Sequence, residues 1–269
     1  MAVKFGMIGG GVMGEALLSR LLQQRLYQPE EVMISEPVAE RRAYLQQEYK
    51  VLVTQDNGEA AIASDVLMLA IKPQIFAAVT AELQEKKLSN RPLVLSILAG
   101  VSLKQLQAAF GDYPVVRAMP NTPAVVGQGM TAIAPGDSVS SEQQDLAQSI
   151  FGAVGEVVTV SENLMDAVTG LSGSGPAFVA LMVEALADGG VATGLPRATA
   201  QQLALQTVKG TAELLQSSEL HPAQLKDRVT SPGGTTIAGV TALENHGFRA
   251  GIIAAVQAAT QRSWELGQK

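Results

Sequence analysis

The sequence predicts a chain of two parts, an α/β domain built on a parallel sheet and an all-helical domain after it. Short apolar runs alternate with amphipathic stretches up to about residue 160, and the strand-like runs stop there. Continuous apolar strands joined by helical crossovers are typical of a parallel sheet that is covered on both faces. We expect the first domain to span residues 1–161 and the second to span residues 162–269.

The elements of the first domain follow from its hydrophobic pattern. Amphipathic stretches at 14–25 and 38–48 predict helices, and so does the segment at about 142–152. The apolar runs predict strands at residues 3–8, 32–35, 66–71, 94–98, 115–118, 130–134 and 156–160.

The second domain is predicted to be helical over residues 163–216 and 235–266. Pro196, two residues after Gly194, predicts that one helix ends and another begins there. The stretch 175–190 is apolar almost all round, so we expect it to be buried on all sides. A domain of roughly a hundred residues buries such a helix poorly by itself, which predicts a helical core shared between subunits.

The composition narrows the classes of partner. Of 269 residues, 47% are hydrophobic and only 16% are charged, with a formal net charge of −6. The scarcity of charged surface predicts a homo-oligomer, and the absence of a strongly basic patch argues against a nucleic-acid partner. Because the chain has no cysteine and only two histidines, His221 and His246, we expect no metal site.

The N-terminus predicts a cytoplasmic protein. The first strand begins two residues after position 1, so cleavage of a signal peptide would destroy the glycine-rich turn that follows the strand. No apolar run is expected to reach the length of a membrane span, and we expect no membrane partner.

A Gly-x-Gly-x-x-Gly motif follows the first strand in the sequence VKFGMIGGGVMG, with its glycines at Gly9, Gly11 and Gly14. Glycines in this pattern allow a tight turn and a close approach of the backbone to a pyrophosphate, and the helix N-terminus adds free N–H groups. Because the motif opens a helix after a strand, it predicts a dinucleotide site. The alternative is a tight turn that binds nothing.

Glu36 ends the second predicted strand. An acid at this position commonly accepts hydrogen bonds from the adenosine ribose, which favours NADH over the 2′-phosphorylated cofactor. The alternative is a solvated acid in a loop. Ser35, Arg41 and Arg42 lie nearby in sequence and could serve a phosphate instead.

Two later strands also end in polar residues. Lys72 and Pro73 follow the strand at 66–71, and Asn121 follows the strand at 115–118. Ligands bind at the carboxyl ends of strands in open α/β sheets, so these residues are candidates for the cofactor site. An exposed lysine and a turn-forming asparagine are the alternatives.

A second glycine-rich loop lies at Ser231–Thr236, with the sequence SPGGTT before a predicted helix. Gly233 and Gly234 allow backbone N–H groups to turn inward around a small anion, and the helix dipole favours a carboxylate there. Alternatively, a threonine of this loop is a simple N-cap. Glu162, after the last strand, is a candidate polar contact at the domain junction or else a first-turn helix acid.

These segments together resemble the pyrroline-5-carboxylate reductase family over essentially the whole chain. The motifs are specific in combination and occur in the family's order. They are Gly9–Gly14, Ala70-Ile71-Lys72-Pro73, Ala99-Gly100-Val101, the segment RAMPNTP at 117–123, the segment DAVTGLSGSGP at 166–176, His221-Pro222 and Leu225–Glu244.

The resemblance implies a Rossmann-type N-terminal domain and an all-α C-terminal dimerisation domain, with dimers that assemble into a decamer. The implied reaction transfers a hydride from NADPH or NADH to the C=N carbon of L-1-pyrroline-5-carboxylate. L-proline is the product, so this is the final step of proline biosynthesis, and no metal takes part. The alternative is a non-catalytic regulatory protein that senses NAD(P)H.

The resemblance also implies roles for particular residues in binding the substrate and the cofactor. It places Thr236 near the ring nitrogen as a hydrogen-bond partner or proton donor, and it places Glu162 and Arg228 near the substrate across the dimer. The family usually has a neutral polar residue where Arg228 stands. The substrate carboxylate is implied to bind Ser231, Gly233, Gly234 and Thr235. The residues implied to line the cofactor are Ile8, Gly9, Gly10, Gly11, Val12, Met13, Gly14, Ser35, Glu36, Asn57, Ala70, Ile71, Lys72, Pro73, Ile97, Leu98, Ala99 and Asn121.

Glu36 departs from the family, which often has Ser or Thr at this position. A small hydroxyl suits a 2′-phosphate, whereas a carboxylate repels it. We therefore expect a relaxed cofactor preference or one that leans toward NADH.

Overall fold

The computed structural model describes residues 2–86 and 90–268. Its centre is an eight-stranded sheet in the order β3-β2-β1-β4-β5-β6-β7-β8. The strands are β1 Phe5–Ile8, β2 Val32–Ser35, β3 Leu52–Thr54, β4 Val66–Leu69, β5 Leu93–Ser96, β6 Val115–Met119, β7 Gly129–Pro135 and β8 Gly155–Thr159.

Strands β1 to β6 are all parallel, and the chain reverses its direction of strand addition between β1 and β4. This arrangement confirms the predicted Rossmann-type sheet. Strand β7 pairs with β6 in antiparallel register, with Ala118 opposite Ile133, and β8 then pairs with β7 in parallel. The antiparallel pair follows from the short connection over residues 120–128, because a parallel crossover needs a dozen or more residues.

Helices cover both faces of the sheet, as successive residues of β4 illustrate. Val66 and Met68 pack into one apolar cluster, while Leu67 and Leu69 pack into the other. This alternation explains why the central strands are continuously apolar. The helices of this region are α1 Val12–Gln23, α2 Ala39–Tyr49, α3 Asn57–Ala61, α4 Phe76–Glu85, α5 Leu103–Phe110 and α6 Ser141–Gly152.

The seven predicted strands are all present, but β3 was missed. It is three residues long and lies at the edge of the sheet, with Leu52 exposed and Val53 and Thr54 half-buried. Such a short, partly exposed strand lacks the apolar run that marks the central strands. Its partner is β2, with Met33 opposite Leu52.

The remaining helices are α7 Met165–Val168, α8 Gly175–Ala192, α9 Arg197–Ser218, α10 Pro222–Arg228, α11 Thr235–Asn245 and α12 Phe248–Gly267. By internal contacts the chain forms two compact units. One comprises Met1–Ser174 with Ala258–Lys269, and the other comprises Gly175–Gln257. The last turns of α12 therefore belong to the unit that contains the sheet.

Glycines divide the predicted long helices. Gly194 has φ +103° and Pro196 is the N-cap of α9, which confirms the predicted helix end and restart. Gly247 has φ +70° and separates α11 from α12, a break that was not predicted within 235–266. Both glycines adopt a left-handed conformation that other residues disfavour.

The segment before α8 corrects one prediction. Residues Thr169–Gly173 form a π-helical turn that joins α7 to α8, so the helical stretch Glu162–Ala192 is continuous. By length and composition alone this stretch is long and apolar enough to cross a membrane, and an 18-residue window within it has a mean hydropathy of 1.3. The expectation that no apolar run reaches this length was therefore wrong, because the Gly- and Ser-containing segment is helical.

Helix α8 is not buried on all sides within one chain. It packs on α9 through a small cluster of Ala187, Ala200 and Ala204, and Ala187 is its only buried residue. Leu181 is 66% exposed, and Val179 and Leu186 are also exposed. The single chain thus leaves apolar surface on α8 uncovered.

Gly6→Ala is expected to destabilise the fold strongly. A Cβ placed on Gly6 would lie 1.9 Å from the carbonyl oxygen of Ala60, so β1 and α3 would have to separate. We expect a loss of about 3 kcal/mol in the free energy of unfolding, measured by urea denaturation. Gly152→Ala is the matched control, since a Cβ there meets nothing within 4 Å. Equal stabilities of the two variants would contradict this reading.

Candidate functional site

The predicted cofactor residues lie along one edge of the sheet. They occupy or follow the last residues of β1, β2, β4, β5 and β6, and Asn57 lies just beyond β3. Because these strands are parallel, all of their carboxyl ends meet at this edge. The edge includes the switch point between β1 and β4, where open α/β sheets bind ligands.

The glycine-rich turn has the geometry that a dinucleotide requires. Gly9 has φ +101°, and a Cβ on it would lie 2.5 Å from the carbonyl oxygen of Ala70. A Cβ on Gly14 would lie 2.6 Å from the carbonyl oxygen of Gly9. At Gly11, by contrast, a Cβ would meet nothing within 4 Å. Gly9 and Gly14 therefore make the turn tight, while Gly11 leaves open space above it.

Helix α1 begins without a side-chain cap. Its N-cap is Gly11, which has no side chain to accept a hydrogen bond from the first turn. The N–H groups at the start of a helix have no partner within the helix, and they favour an anion such as pyrophosphate. The open space at Gly11 and the uncapped N-terminus fit a dinucleotide.

Glu36 is built into the turn and is only 8% exposed. Its two carboxylate oxygens accept hydrogen bonds from the backbone N–H groups of Gly10 and Val38, each at 3.0 Å. The alternative of a solvated loop acid was therefore wrong. Each oxygen retains a second lone pair, so a ribose hydroxyl can still bind. Arg42 donates to the carbonyl oxygens of Glu36 and Pro37.

Arg41 supports the glycine turn from α2. Its Nε donates to the carbonyl oxygen of Gly10 at 2.7 Å, and its guanidinium pairs with Glu15. The hydroxyls of Tyr44 and Tyr49 also donate to Glu15. Burial raises the pKa of the Glu15 carboxyl, but the hydrogen bonds from Arg41 and the two tyrosines outweigh it and lower the pKa below its usual value. Arg41 is thus already engaged within the protein.

A chain of polar side chains holds Asn57 beside β2. The hydroxyl of Ser35 donates to Asn57 Oδ1 at 2.7 Å, and Asn57 Nδ2 donates to Glu82 at 2.7 Å. Asp56 caps α3 by accepting from the N–H groups of Gly58 and Glu59. Ser35 is buried, so its hydroxyl supports Asn57 rather than facing solvent.

The ends of β4 and β5 hold the next predicted residues. Lys72 is exposed, and Pro73 and Ala99 line a cavity of about 810 Å³. Ile8 and Leu98 are almost fully buried, so only their backbone groups are available to a ligand.

The side-chain amide of Asn121 connects two neighbouring segments at the end of β6. Its Nδ2 donates to the carbonyl oxygen of Ser172 at 3.1 Å, and its Oδ1 accepts from the N–H of Met130 at 2.8 Å. The amide therefore ties the π-helical turn to the start of β7. This arrangement favours the turn-forming interpretation of Asn121 over a side-chain contact with the cofactor.

The second glycine-rich loop also starts a helix without a side-chain cap. Gly233 has φ +66°, and Gly234 is the N-cap of α11 with its N–H bonded to the carbonyl oxygen of Ser231 at 3.1 Å. The alternative in which a threonine caps this helix was therefore wrong, because Thr235 and Thr236 are its first two residues. The N-terminus of α11 has the same uncapped character as that of α1.

The other predicted substrate residues surround this loop in the sequence. Arg228 is exposed at the end of α10, Ser231 is exposed in the loop, and Thr236 is half-buried in the first turn of α11. The Ser231 hydroxyl lies over Gly234, where a Cβ would meet it at 2.2 Å. Gly234 thus leaves room for the serine hydroxyl over the turn.

Glu162 is engaged within the sheet-containing unit. Its carboxylate accepts from the N–H of Leu103 at the start of α5 and pairs with Arg117 at 3.2 Å. Arg117 is buried on β6, so the pair neutralises a charge inside the protein. The interpretation of Glu162 as an acid of its own first helical turn is incomplete, because it also serves the first turn of α5.

Some residues that shape these sites were missed from the sequence. Arg117 interrupts an otherwise apolar strand, and a charge in such a position is a usable signal of a buried ion pair. The positions of Glu82 and Glu15 on exposed-looking helices carry no comparable signal. Their roles follow from tertiary contacts with Asn57 and Arg41.

The fold and its carboxyl edge define a dinucleotide-binding protein of the Rossmann class with a helical domain. A sequence profile described as "Pyrroline-5-carboxylate reductase dimerisation" matches residues 162–266, and one described as "NADP oxidoreductase coenzyme F420-dependent" matches residues 4–100. The pyrroline-5-carboxylate reductase of Synechocystis is 62% identical over 269 residues, which is all of both chains. The chain therefore belongs to the pyrroline-5-carboxylate reductase family and is a nicotinamide-dependent oxidoreductase.

Solved structures agree with this assignment. The pyrroline-5-carboxylate reductase of Coxiella burnetii superposes with a TM-score of 0.92 at 36% identity, over 98% of each chain. The Plasmodium falciparum enzyme, which has NADP bound, superposes with a TM-score of 0.88 at 32% identity, also over 98% of each chain. The predicted fold class is confirmed, and the helical domain is a dimerisation domain.

Gly11→Ala is expected to leave the fold intact and weaken dinucleotide binding. The added methyl meets nothing in the protein, but it occupies the space through which the pyrophosphate approaches the backbone. We expect the Kd for NADH, measured by fluorescence titration, to rise by about tenfold or more. Gly152→Ala is again the control, and unchanged binding by Gly11→Ala would contradict the assigned pyrophosphate site.

Glu162→Gln separates an anchoring role from a substrate contact. If the carboxylate mainly neutralises Arg117, the variant loses about 1–3 kcal/mol in the free energy of unfolding, since a buried charge is left without its counter-ion. Arg117→Met in the same background should then recover part of this loss. A variant of normal stability with a raised KM for the imine would show instead that Glu162 acts on the substrate.

Proposed function

We propose that this chain reduces L-1-pyrroline-5-carboxylate to L-proline with NADH or NADPH, the final step of proline biosynthesis. The observation that carries the proposal is the 62% identity over the full length of both chains to a pyrroline-5-carboxylate reductase. The uncapped glycine-rich starts of α1 and α11 support it, because the reaction needs one site for a pyrophosphate and one for a carboxylate. The relatives favour the reductase over a non-catalytic sensor.

The cofactor is proposed to bind along the carboxyl edge of the sheet, with its pyrophosphate on Gly9–Gly14 and its adenosine ribose on Glu36. Residues 70–73 and 97–99 are proposed to flank the nicotinamide half of the cofactor. Asn57 is proposed to lie beside the adenosine, and Asn121 to lie at the cofactor site beyond β6. The bound nicotinamide supplies the hydride. The protein's task is to orient the two reactants, because a protonated imine is already a good hydride acceptor.

The substrate carboxylate is proposed to bind at Gly234 through Ser231 and the N–H groups of Gly233 and Thr235. The N–H of Gly234 itself is bonded to the carbonyl oxygen of Ser231. The helix dipole of α11 favours a negative charge at this point. Thr236 then lies one residue further on, where its hydroxyl orients the ring nitrogen or relays a proton from water. A threonine hydroxyl is a poor acid, so orientation is the favoured role.

The domain division and the subunit assembly are proposed to be those of the family. The chain is divided into a dinucleotide-binding domain at residues 1–161 and a substrate and dimerisation domain at residues 162–269. Glu162 and Arg228 are proposed to approach the substrate of the other subunit in a homodimer, and the dimers to form a decamer. We propose that the enzyme works in the cytoplasm.

The reductase is tested by the absorbance of NADH and NADPH in separate reactions, with and without DL-pyrroline-5-carboxylate. Rapid oxidation that depends on the imine is expected. Thr236→Ala should lower kcat/KM by about tenfold, because one orienting hydrogen bond is lost. Thr241→Ala, whose hydroxyl bonds only its own helix, is the control. A folded protein that binds NADH but oxidises neither cofactor would refute the reductase.

Glu36→Ser tests the cofactor preference. The wild-type protein is expected to use NADH at least as well as NADPH, because a carboxylate at this point repels a 2′-phosphate. The variant should raise the NADPH-to-NADH ratio of kcat/KM by about tenfold, although the lost bonds to Gly10 and Val38 weaken both cofactors.

The ratio is the readout, since general damage to the turn affects both cofactors alike. Glu48→Ser removes the same charge from an exposed position on α2 and serves as the control. A ratio that does not change in Glu36→Ser, or a wild-type ratio well above one, would contradict the assigned role of Glu36.

A further inference from the structure

The last turn of α12 lies against the loop that follows β5. Gly100 in this loop has φ +76°, and a Cβ on it would lie 3.6 Å from the backbone nitrogen of Gly267. A Cβ on Gly267 would lie 3.3 Å from the carbonyl oxygen of Gly100. The two glycines therefore meet backbone to backbone, and the end of the helix covers the loop.

Ser263 lies one helical turn before Gly267 in α12 and anchors this end of the helix. Its side chain is 5% exposed, and its hydroxyl donates to Asp166 Oδ1 at 2.6 Å. Asp166 lies in α7, so this hydrogen bond joins two segments that are 97 residues apart in the chain. A bond from a hydroxyl to a carboxylate in a sheltered position is one of the stronger hydrogen bonds in a protein.

Both contacts border the cavity of about 810 Å³ that Pro73 and Ala99 also line. Its lining includes the segment Ala99–Val101 and, from α12, the residues Arg262, Ser263, Leu266 and Gly267. The C-terminal turn thus forms part of the surroundings of the segment after β5.

The contact between Gly100 and Gly267 is relevant to the cofactor, because the preceding residue, Ala99, is one of the predicted cofactor residues. A dinucleotide that crosses the switch point places its adenosine beyond β2 and its nicotinamide half beyond β4 and β5. We propose that Ser263 fixes the end of α12, that Gly267 thereby holds the 99–101 loop, and that this loop positions the nicotinamide half of the bound dinucleotide. Ser263 is a positioning residue, and the inference rests on the proposed function only in taking a nicotinamide dinucleotide as the ligand.

The test compares two ligands on the full-length protein. NADH and ADP-ribose share the adenosine and pyrophosphate, but ADP-ribose lacks the nicotinamide ring. Ser263→Ala is expected to raise the Kd for NADH about three- to tenfold, the range expected when a supporting residue displaces a contact without removing it. The Kd for ADP-ribose should stay within about twofold of the wild-type value, because its contacts lie on the other side of the switch point.

Three variants sharpen the comparison. Asp166→Asn keeps an acceptor oxygen for Ser263 and should bind NADH as the wild type does, whereas Asp166→Ala should reproduce the effect of Ser263→Ala. Ser217→Ala is the matched control, since Ser217 is an exposed helical serine that bonds only the carbonyl oxygen of Leu214.

Equal weakening of NADH and ADP-ribose in Ser263→Ala would show a merely structural role and overturn the inference. Unchanged binding of both ligands, or a wild-type protein that binds no NADH, would overturn it as well. The readout is binding and not turnover. A protein that binds NADH but fails to reduce the imine would therefore refute the proposed function while the ratio of the two Kd values still decides this inference.

Discussion

The N–H groups at the start of a helix need partners from outside the helix, and at its two glycine-rich turns this chain supplies none from a side chain. Helix α1 begins at Gly11 and helix α11 begins at Gly234, and neither N-cap bears a side chain. The serines at the starts of α5 and α6, by contrast, cap their helices. Much of the surrounding structure serves the first of these sites, since Glu36 and Arg41 both hold the backbone of Gly10.

The sequence was sufficient for the fold class and for the glycine-rich starts of α1 and α11, because those features depend on local patterns. Apolar runs and glycine spacing are properties of neighbouring residues, and the seven predicted strands are present. The π-helical turn at Thr169–Gly173 was not predictable in this way, since nothing in the local pattern distinguishes it from the rest of the helix expected over 163–216. A Cβ on Gly173 would lie 2.9 Å from the terminal methyl of Met119, so Gly173 leaves room for that side chain to approach the turn. Side-chain pairs such as Arg117 with Glu162 likewise depend on distant segments.

Membership of the family gives a physical explanation for the exposed apolar surface of α8. Leu181 and Val179 are exposed in the single chain, yet the region belongs to a dimerisation domain. Burying such side chains against a second subunit is favourable by about 1.5–3 kcal/mol each. The low proportion of charged residues, from which an oligomer was expected, agrees with a dimerisation domain. In the single chain, apolar side chains of α8 therefore remain exposed that a second subunit would bury.

The central claim is that the start of α11 holds a small carboxylate and that the carboxyl edge of the sheet holds a dinucleotide. Isothermal titration of the protein with L-proline, in the presence and absence of saturating NAD⁺, tests it most directly. Saturable binding of proline is expected in both conditions, because the N–H groups and the dipole at the start of α11 favour a carboxylate. Binding of NAD⁺ without any binding of proline would contradict it, and would leave the glycine-rich loop before α11 without the role assigned to it.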